Sequence, residues 1–179
     1  MQAEIPDPDR RLRYFIGDIR DASRLAMALQ NVDFVIHAAA LKQVPALEYN
    51  PFEAIKTNIL GTQNVITAAI RSKVEKVVLV STDKAANPAN LSGATKLCAE
   101  RLTTSANAYS GKDGTKLSVV RYGNVLGSRG SIIKVIEQQR ASGEVTLTHE
   151  DMTRFWITLN QGVSLVMLAL EKMYGGEIF

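Results

Sequence analysis

Short apolar runs rich in β-branched residues alternate along this chain with segments of helical spacing. Strands are predicted at residues 13–16, 32–37, 77–80, 116–122 and 145–147, with a last strand-like segment at 177–179. Helices are predicted from Asp21 onward, over 51–70 and 90–108, from about residue 131, and over 160–173. Because strands that alternate with helices pair in parallel and are covered on both faces, we expect an α/β fold with a doubly wound, Rossmann-like sheet.

Composition and charge exclude several classes of protein. With 179 residues, 46% of them hydrophobic and 22% charged, the chain is long enough for one packed domain and is neither disordered nor a coiled coil. The net charge of +3 comes from scattered lysines and arginines, so we expect no nucleic-acid partner. A single cysteine, Cys98, cannot form an internal disulfide or a cysteine-based zinc site, and no metal is expected.

The ends of the chain are unusual for a Rossmann-like domain. No Gly-x-Gly-x-x-Gly loop precedes the strand at 13–16, and the last segment reads as an unfinished strand. We therefore expect an internal fragment of a longer protein, a single partial domain over 1–179 whose sugar-binding part begins after about residue 124. Without a membrane-spanning run or a signal sequence, a cytoplasmic location is expected, and a membrane anchor in a preceding part of the parent stays open.

A group of polar residues follows the apolar run at 77–80. These residues are Ser81, Thr82, Asp83 and Lys84. In open parallel sheets ligands bind at the carboxyl ends of the strands. Helical spacing resumes at about residue 90, which places Ser92 and Lys96 on one face of the next helix. The pattern predicts a ligand site, and the alternative is a strand end with solvated polar residues and a surface lysine.

Two further segments are suited to ligand contact. Three alanines at 38–40 follow the strand at 32–37 and would let a ligand approach the backbone, although tight packing against a helix explains them equally well. The glycine-rich segment 123–130 precedes a predicted helix whose first N–H groups could hold an anion. Arg129 would add charge-assisted contacts. The alternative is that these glycines serve only the turns of the loop.

Several motifs in order resemble one family. They occupy residues 15–21, 37–45, 81–88, 93–96, 121–128 and 152–157. Together they resemble the extended short-chain dehydrogenase/reductases and, more narrowly, the inverting UDP-N-acetylglucosamine 4,6-dehydratases of bacterial flagellin-glycan, capsule and O-antigen pathways.

The resemblance implies a redox-neutral lyase. Bound NADP, with NAD not excluded, would take hydride from sugar C4, which acidifies the C5 hydrogen; water leaves from C6, hydride returns to C6, and C5 is reprotonated from the opposite face. By resemblance, Lys84 is the C5 base, Asp83 is the acid for the C6 hydroxyl, and Thr82 hydrogen-bonds the sugar. Asp83 must be protonated for that role, so the adjacent pair is expected to titrate as a unit.

One position departs from the family pattern. Lys96 matches the lysine that holds the nicotinamide ribose and activates a tyrosine four residues earlier, but Ser92 occupies the tyrosine position, where some relatives carry Met. Serine is a poor base, so C4 oxidation would need another one, such as Lys84 or a water ordered by Ser92. Ser92 suggests one alternative, a catalytically impaired nucleotide-sugar-binding protein. A second is a nucleotide-sugar epimerase or reductase on the same scaffold, although such enzymes lack the Thr-Asp-Lys triplet and depend on the tyrosine that is absent here.

The remaining assignments also follow from the resemblance. The predicted cofactor-binding residues are Asp18, Ile19, Ala38, Ala39, Ala40, Asn58, Ser81 and Lys96. The predicted substrate-binding residues are Lys42, Asn124, Arg129 and Arg154. By resemblance, Asn58 also matches the family's structural asparagine. Independently of the family, Asn58 and Asn64 interrupt the apolar stripe of the 51–70 helix, and most such asparagines face solvent. A UDP-sugar substrate and a homo-oligomeric full-length protein are expected.

Overall fold

A computed structural model describes residues 9, 11–127, 132–140, 142–146 and 149–179. Its centre is a three-stranded parallel sheet in the order β1 (Phe34–His37), β2 (Lys76–Thr82) and β3 (Lys116–Tyr122). A separate parallel pair is formed by β4 (Asn124–Val125) and β5 (Trp156–Ile157).

The helices alternate with these strands, as predicted. In chain order they are α1 (Ala22–Ala28), α2 (Val44–Tyr49), α3 (Pro51–Ala54), a π-helix (Ile55–Gly61), α4 (Thr62–Arg71), a 3-10 turn (Asp83–Ala85), α5 (Leu91–Ser105), α6 (Asn107–Ser110), α7 (Ile132–Arg140) and α8 (Leu159–Lys172). No helix in the described part of the chain is both long and apolar enough to cross a membrane.

Both faces of the sheet are covered by helices. Val77 and Leu117 lie on one face and pack against Ile66 and Ala69 of α4. On the opposite face Val78 and Val120 belong to a second buried cluster, which contains Val166, Ala169 and Met173 from α8 and the residue after it. This three-layer arrangement confirms the predicted α/β, Rossmann-like fold class.

The predicted strand at 13–16 is wrong. A strand requires a hydrogen-bonded neighbour, and within the described residues 13–16 have none, so Ile16 is 93% exposed. Arg24 holds this segment instead: its Nε donates to the Ile16 carbonyl at 2.8 Å, and its guanidinium lies 5.2 Å from the centre of the Phe15 ring.

The other short predicted strands have mixed outcomes. Residues 145 and 146 are not in a strand, and 147 lies outside the described residues. The segment at 177–179 does extend the sheet, because Ile178 forms a parallel bridge with Val119 and Arg121 N donates to Phe179 O at 2.9 Å. Backbone pairing beside β3 thus orders the chain end as expected.

The helix predicted over 51–70 begins at Pro51 and ends at Arg71, but it is not a continuous α-helix. Asn50 does not cap it with its side chain, which instead donates to the Ala46 carbonyl at 2.9 Å. The π-helix in its middle widens the backbone by one residue per turn, a feature that is often found at functional sites.

His37, at the carboxyl end of β1, is buried against this helix. Its Nε2 lies 3.0 Å from Thr62 Oγ1, and that hydroxyl donates to the Asn58 carbonyl at 2.7 Å. The hydroxyl proton is therefore committed, so His37 Nε2 is the donor in the first contact. Burial first, and the charge of Lys96 second, lower the pKa of His37 to about 4.

We predict that His37 makes the fold sensitive to mild acid. Between pH 6.5 and about 4 the unfolded chain binds a proton at His37 that the folded protein excludes, so stability falls as the pH falls. Urea unfolding at pH 7 and pH 5 should show that His37→Gln removes about 2 kcal/mol of this pH dependence. His149→Gln is the matched control, because His149 is exposed. Equal pH dependence in both variants and in the parent would contradict the prediction.

Candidate active site

Four side chains meet at the carboxyl ends of β2 and β3, and we call them the polar cluster: Thr82, Asp83, Lys84 and Asn124. Thr82 Oγ1 donates to Asp83 Oδ1 at 2.9 Å, and Lys84 Nζ donates to the same oxygen at 2.8 Å. Lys84 Nζ also donates to Asn124 Oδ1 at 2.7 Å. Three residues predicted from the strand end thus contact one another, and a fourth reaches them from β4.

The cluster holds its carboxyl group in the ionised form. Partial burial alone would raise the pKa of Asp83, but hydrogen bonds from Lys84 and Thr82 outweigh that effect and hold the pKa below its usual value. Asp83 is therefore a carboxylate at neutral pH, paired with the Lys84 ammonium. This is the opposite of the protonated state that an acid would need.

The backbone around the cluster is fixed by a glycine whose role the sequence reasoning missed. Thr82 caps the 3-10 turn, and Asn90 caps α5 by accepting from Gly93 N at 3.0 Å. A Cβ on Gly93 would lie 2.7 Å from the Lys84 carbonyl oxygen and 3.1 Å from Pro88 Cβ. Only a glycine lets the loop lie this close to α5. A glycine three residues after a helix cap was the available signal.

Lys96 lies on α5 and is directed at β2 rather than at Lys84. Its Nζ donates to the Val80 carbonyl at 2.7 Å. Burial lowers the pKa of Lys96 to about 8, against the opposing effect of Glu100. Ser92 is half-buried one turn earlier on the same helix, and its carbonyl accepts from Thr95 Oγ1 at 3.0 Å. Within the described residues, Ser92 and Lys96 make no hydrogen bond with the polar cluster.

Ser81 is turned into the protein. It is buried, and its hydroxyl donates to Glu100 Oε1 at 2.5 Å. Arg121 Nε donates to the same oxygen at 2.9 Å, and hydrogen bonding to Glu100 raises the pKa of Arg121. The predicted cofactor contact of Ser81 stays a prediction. Sequence reasoning missed the buried pair, although an arginine in an apolar strand was a signal for it.

Asn58, on the π-helix, is buried and fully hydrogen-bonded. Its Oδ1 accepts from Leu41 N at 2.8 Å, and its Nδ2 donates to Leu41 O at 3.0 Å and to Thr95 Oγ1 at 3.1 Å. The expectation that Asn58 faces solvent is therefore wrong. Asn64 also hydrogen-bonds within the protein, because its Nδ2 donates to Ile19 O at 3.1 Å.

The loop that carries Asp18 and Ile19 is tied to the same helix. A Cβ on Gly61 would lie 2.7 Å from Ile19 Cδ1, so the Ile19 side chain sits directly against that glycine. Hydrogen bonds from Arg20 lower the pKa of Asp18 to about 2, and Arg20 Nη1 also donates to Glu53 at 2.9 Å. These contacts hold the loop against the helix over 51–71.

The remaining predicted residues are spread around this edge. Ala38 and Ala39 are exposed immediately after β1, and Ala40 is half-buried. Lys42 and Arg154 are exposed, with Arg154 Nη1 donating to Thr153 O at 2.7 Å. Arg129 lies outside the described residues. The roles assigned to all of these positions stay predictions.

Comparison with known sequences identifies similar nucleotide-sugar enzymes. A protein of Campylobacter jejuni named "UDP-N-acetylglucosamine 4,6-dehydratase (inverting)" is 55% identical over 94% of this chain and 51% of that protein. A Rickettsia canadensis protein named "UDP-glucose 4-epimerase" is 46% identical over 94% of this chain and 50% of its own length. A Methanocaldococcus jannaschii protein named "Uncharacterized membrane protein" is 59% identical, again over 94% and 51%. The chain spans about half the length of these relatives.

Solved structures agree with the fold. The structure of Pen from Bacillus thuringiensis superposes with a TM-score of 0.93 at 50% identity, covering 99% of this chain and 55% of Pen. DesIV from Streptomyces venezuelae, a dTDP-glucose 4,6-dehydratase solved with NAD, gives 0.84 at 26% identity over 97% of this chain and 59% of DesIV. The family described as "Polysaccharide biosynthesis protein" matches residues 1–179. The chain therefore belongs to the polysaccharide biosynthesis protein family of extended short-chain dehydrogenase/reductases.

Proposed function

We propose that the full-length protein is a nucleotide-sugar 4,6-dehydratase that converts UDP-N-acetylglucosamine to a UDP-4-keto-6-deoxy sugar with inversion at C5. The observation that carries this proposal is the contact of Asp83 with both Thr82 and Lys84 at the ligand-binding edge of the sheet. Elimination of water needs a base and an acid close together, and Lys84 and Asp83 are hydrogen-bonded neighbours. The name of the Campylobacter jejuni relative supports the same substrate.

The cluster contains the one proton that elimination needs. In the free protein that proton is on Lys84 Nζ, 2.8 Å from Asp83 Oδ1. Transfer to Oδ1 breaks an N–H bond, forms an O–H bond, and leaves a neutral amine beside a carboxylic acid. The amine then removes the C5 proton, and the acid protonates the departing C6 hydroxyl. Thr82 holds the sugar by hydrogen bonding.

The edge of the sheet also fits a nicotinamide dinucleotide. Ala38 and Ala39 present only methyl groups at the end of β1, so a ligand can approach the backbone closely. Lys96 uses one N–H on Val80 and as an ammonium has further donors for a ribose. When bound, the dinucleotide would accept hydride from sugar C4 and return it to C6. NADP is proposed as this group. NAD is the one present in the DesIV structure.

We place the other predicted contacts and the cellular role within the same proposal. Asp18, Ile19 and Ala40 would line the cofactor, and Lys42, Asn124, Arg129 and Arg154 would meet the UDP-sugar. The reaction would serve bacterial surface polysaccharide or flagellin-glycan biosynthesis, in the cytoplasm, through a homo-oligomer. The description of the matching family supports the first of these points.

A second candidate function is epimerization at C4, supported by relatives such as the Rickettsia canadensis protein named as an epimerase. Epimerization requires a C4 base but no elimination. The Asp83–Lys84 pair would therefore have no role as base and acid in an epimerase. A nucleotide-sugar-binding protein without turnover is the third, suggested by Ser92. The two experiments below separate the dehydratase function from the other two.

We predict that Lys84→Ala in the full-length protein abolishes solvent deuterium incorporation at C5 and leaves UDP-sugar affinity within a few fold, because Lys84 acts after binding. Lys56→Ala is the control, since Lys56 is similarly exposed and also pairs with a carboxylate, that of Glu53. Mass spectrometry of the sugar measures the incorporation. Unchanged incorporation in Lys84→Ala would place the base elsewhere, and none even in the parent would contradict the dehydratase function and leave the second and third functions.

We predict that Ser92→Tyr raises the rate of C4 oxidation in the full-length protein. Position 92 lies one helical turn before Lys96, so a phenol there can serve as the missing base, worth about 10²–10⁴-fold. Ser92→Phe supplies the ring without the hydroxyl and should give no such increase. The readout is 4-keto product per unit time. A rate for Ser92→Tyr at or below the parent's would show that the pocket is adapted to a small residue and that another group is the working base.

A further inference from the structure

The ammonium group of Lys84 has two hydrogen-bond acceptors of different kinds. One is the Asp83 carboxylate on the adjacent residue, and the other is the uncharged Asn124 amide oxygen, 40 residues away in sequence and 2.7 Å away in space. We propose that Asn124 is a positioning residue that holds the Lys84 amine in place in both of its protonation states. The consequence for catalysis rests on the proposed function, but the contact itself does not.

Asn124 is placed by the backbone and not by Lys84. Its N–H donates to the Phe155 carbonyl at 2.7 Å, and two residues later Leu126 N donates to Ile157 O at 3.0 Å. A Cβ on Gly123 would collide with the Phe155 carbonyl, so a glycine is needed for this close approach of the β4 and β5 segments. A rigid strand pair therefore carries the amide oxygen to the end of β2.

An amide suits this position because of its charge. A lysine that loses its proton keeps two N–H donors, so Asn124 Oδ1 can accept from it before and after the transfer to Asp83. The ion pair with Asp83, by contrast, loses its charges in that transfer. A second carboxylate at position 124 would favour the ammonium form and oppose the release of the proton.

The charged surroundings of Lys84 are few in the part of the chain that the structure describes. Asp83 lies on the same 3-10 turn and contacts it directly. α5 packs against that turn and contributes Lys96, whose Nζ is bound to the Val80 carbonyl. Asn124→Asp would therefore add a second carboxylate beside Lys84, next to that of Asp83.

Amine reactivity tests the inference on this chain without any cofactor. Reductive methylation modifies the neutral amine, and mass spectrometry can quantify Lys84 against Lys56 in the same sample. Lys56 is a matched standard, because it also donates to a carboxylate, at 2.9 Å against 2.8 Å for Lys84, and is 55% exposed against 49%.

Two substitutions at position 124 should change the rate of Lys84 methylation in opposite directions. We expect Asn124→Asp to slow Lys84 methylation at least about threefold relative to Lys56, because a second carboxylate favours the ammonium. Asn124→Ala should speed it, because an acceptor of the ammonium is lost. An unchanged Lys84:Lys56 ratio in both variants, or a change in the same direction in both, would overturn the proposal.

The full-length protein adds an independent readout. With Asn124→Asp, the pH at which C5 deuterium incorporation is half-maximal should rise, whereas Asn124→Ala should lower its rate without that rise. If methylation responds as expected but no form incorporates deuterium, the positioning role stands and the proposed dehydratase function fails. If deuterium is incorporated but the Lys84:Lys56 methylation ratio is unchanged by the substitutions at position 124, only the positioning role is contradicted.

Discussion

A buried carboxylate joins the two strand ends on which the candidate active site is built. Glu100 of α5 is fully buried and accepts hydrogen bonds from Ser81 at the end of β2 and from Arg121 at the end of β3. Removing one partner of such a pair typically costs about 3–5 kcal/mol, because the other charge stays buried without compensation. Glu100 therefore ties α5 to both strands at the point where the β2–β3 ladder ends. Lys96, one turn before Glu100, reaches the Val80 carbonyl because that geometry is fixed.

Asn58 likewise joins two separate segments of the chain, on the other side of the site. Its amide joins the loop after β1, through Leu41, to α5, through Thr95. The π-helix carries Asn58 at this point, and wider turns of this kind are frequent at functional sites. Each of the two buried polar groups has all the partners that its burial requires, which is why neither is a weak point in the core.

Much of the architecture could be predicted from local sequence, since a largely apolar segment such as 116–122 forms a strand with the predicted bounds. Features that depend on distant partners could not be predicted. Residues 13–16 have the composition of a strand but no neighbour among the described residues to pair with. Asn58 shares the spacing of the apolar stripe, but its hydrogen-bond partners, Leu41 and Thr95, lie in other parts of the chain. The contact between Asp83 and Lys84 could be predicted because the two residues are adjacent in sequence. The contact of Asn124 with Lys84 could not be predicted, because it depends on how β4 pairs with β5.

The charge state of the polar cluster connects the free protein to the proposed chemistry. As folded, Asp83 is ionised and Lys84 is its counter-ion, with both side chains still partly exposed to water. A bound sugar that displaces this water removes solvation from two charges at once, and desolvation penalises an ion pair far more than a neutral amine beside a neutral acid. If the full-length protein binds a sugar here, as we propose, binding would favour transfer of the proton across the existing hydrogen bond. Under the proposed function, the Asp83–Lys84 hydrogen bond stabilises the free protein, and proton transfer along it produces both the base and the acid. Asn124 is the uncharged contact that this transfer leaves intact.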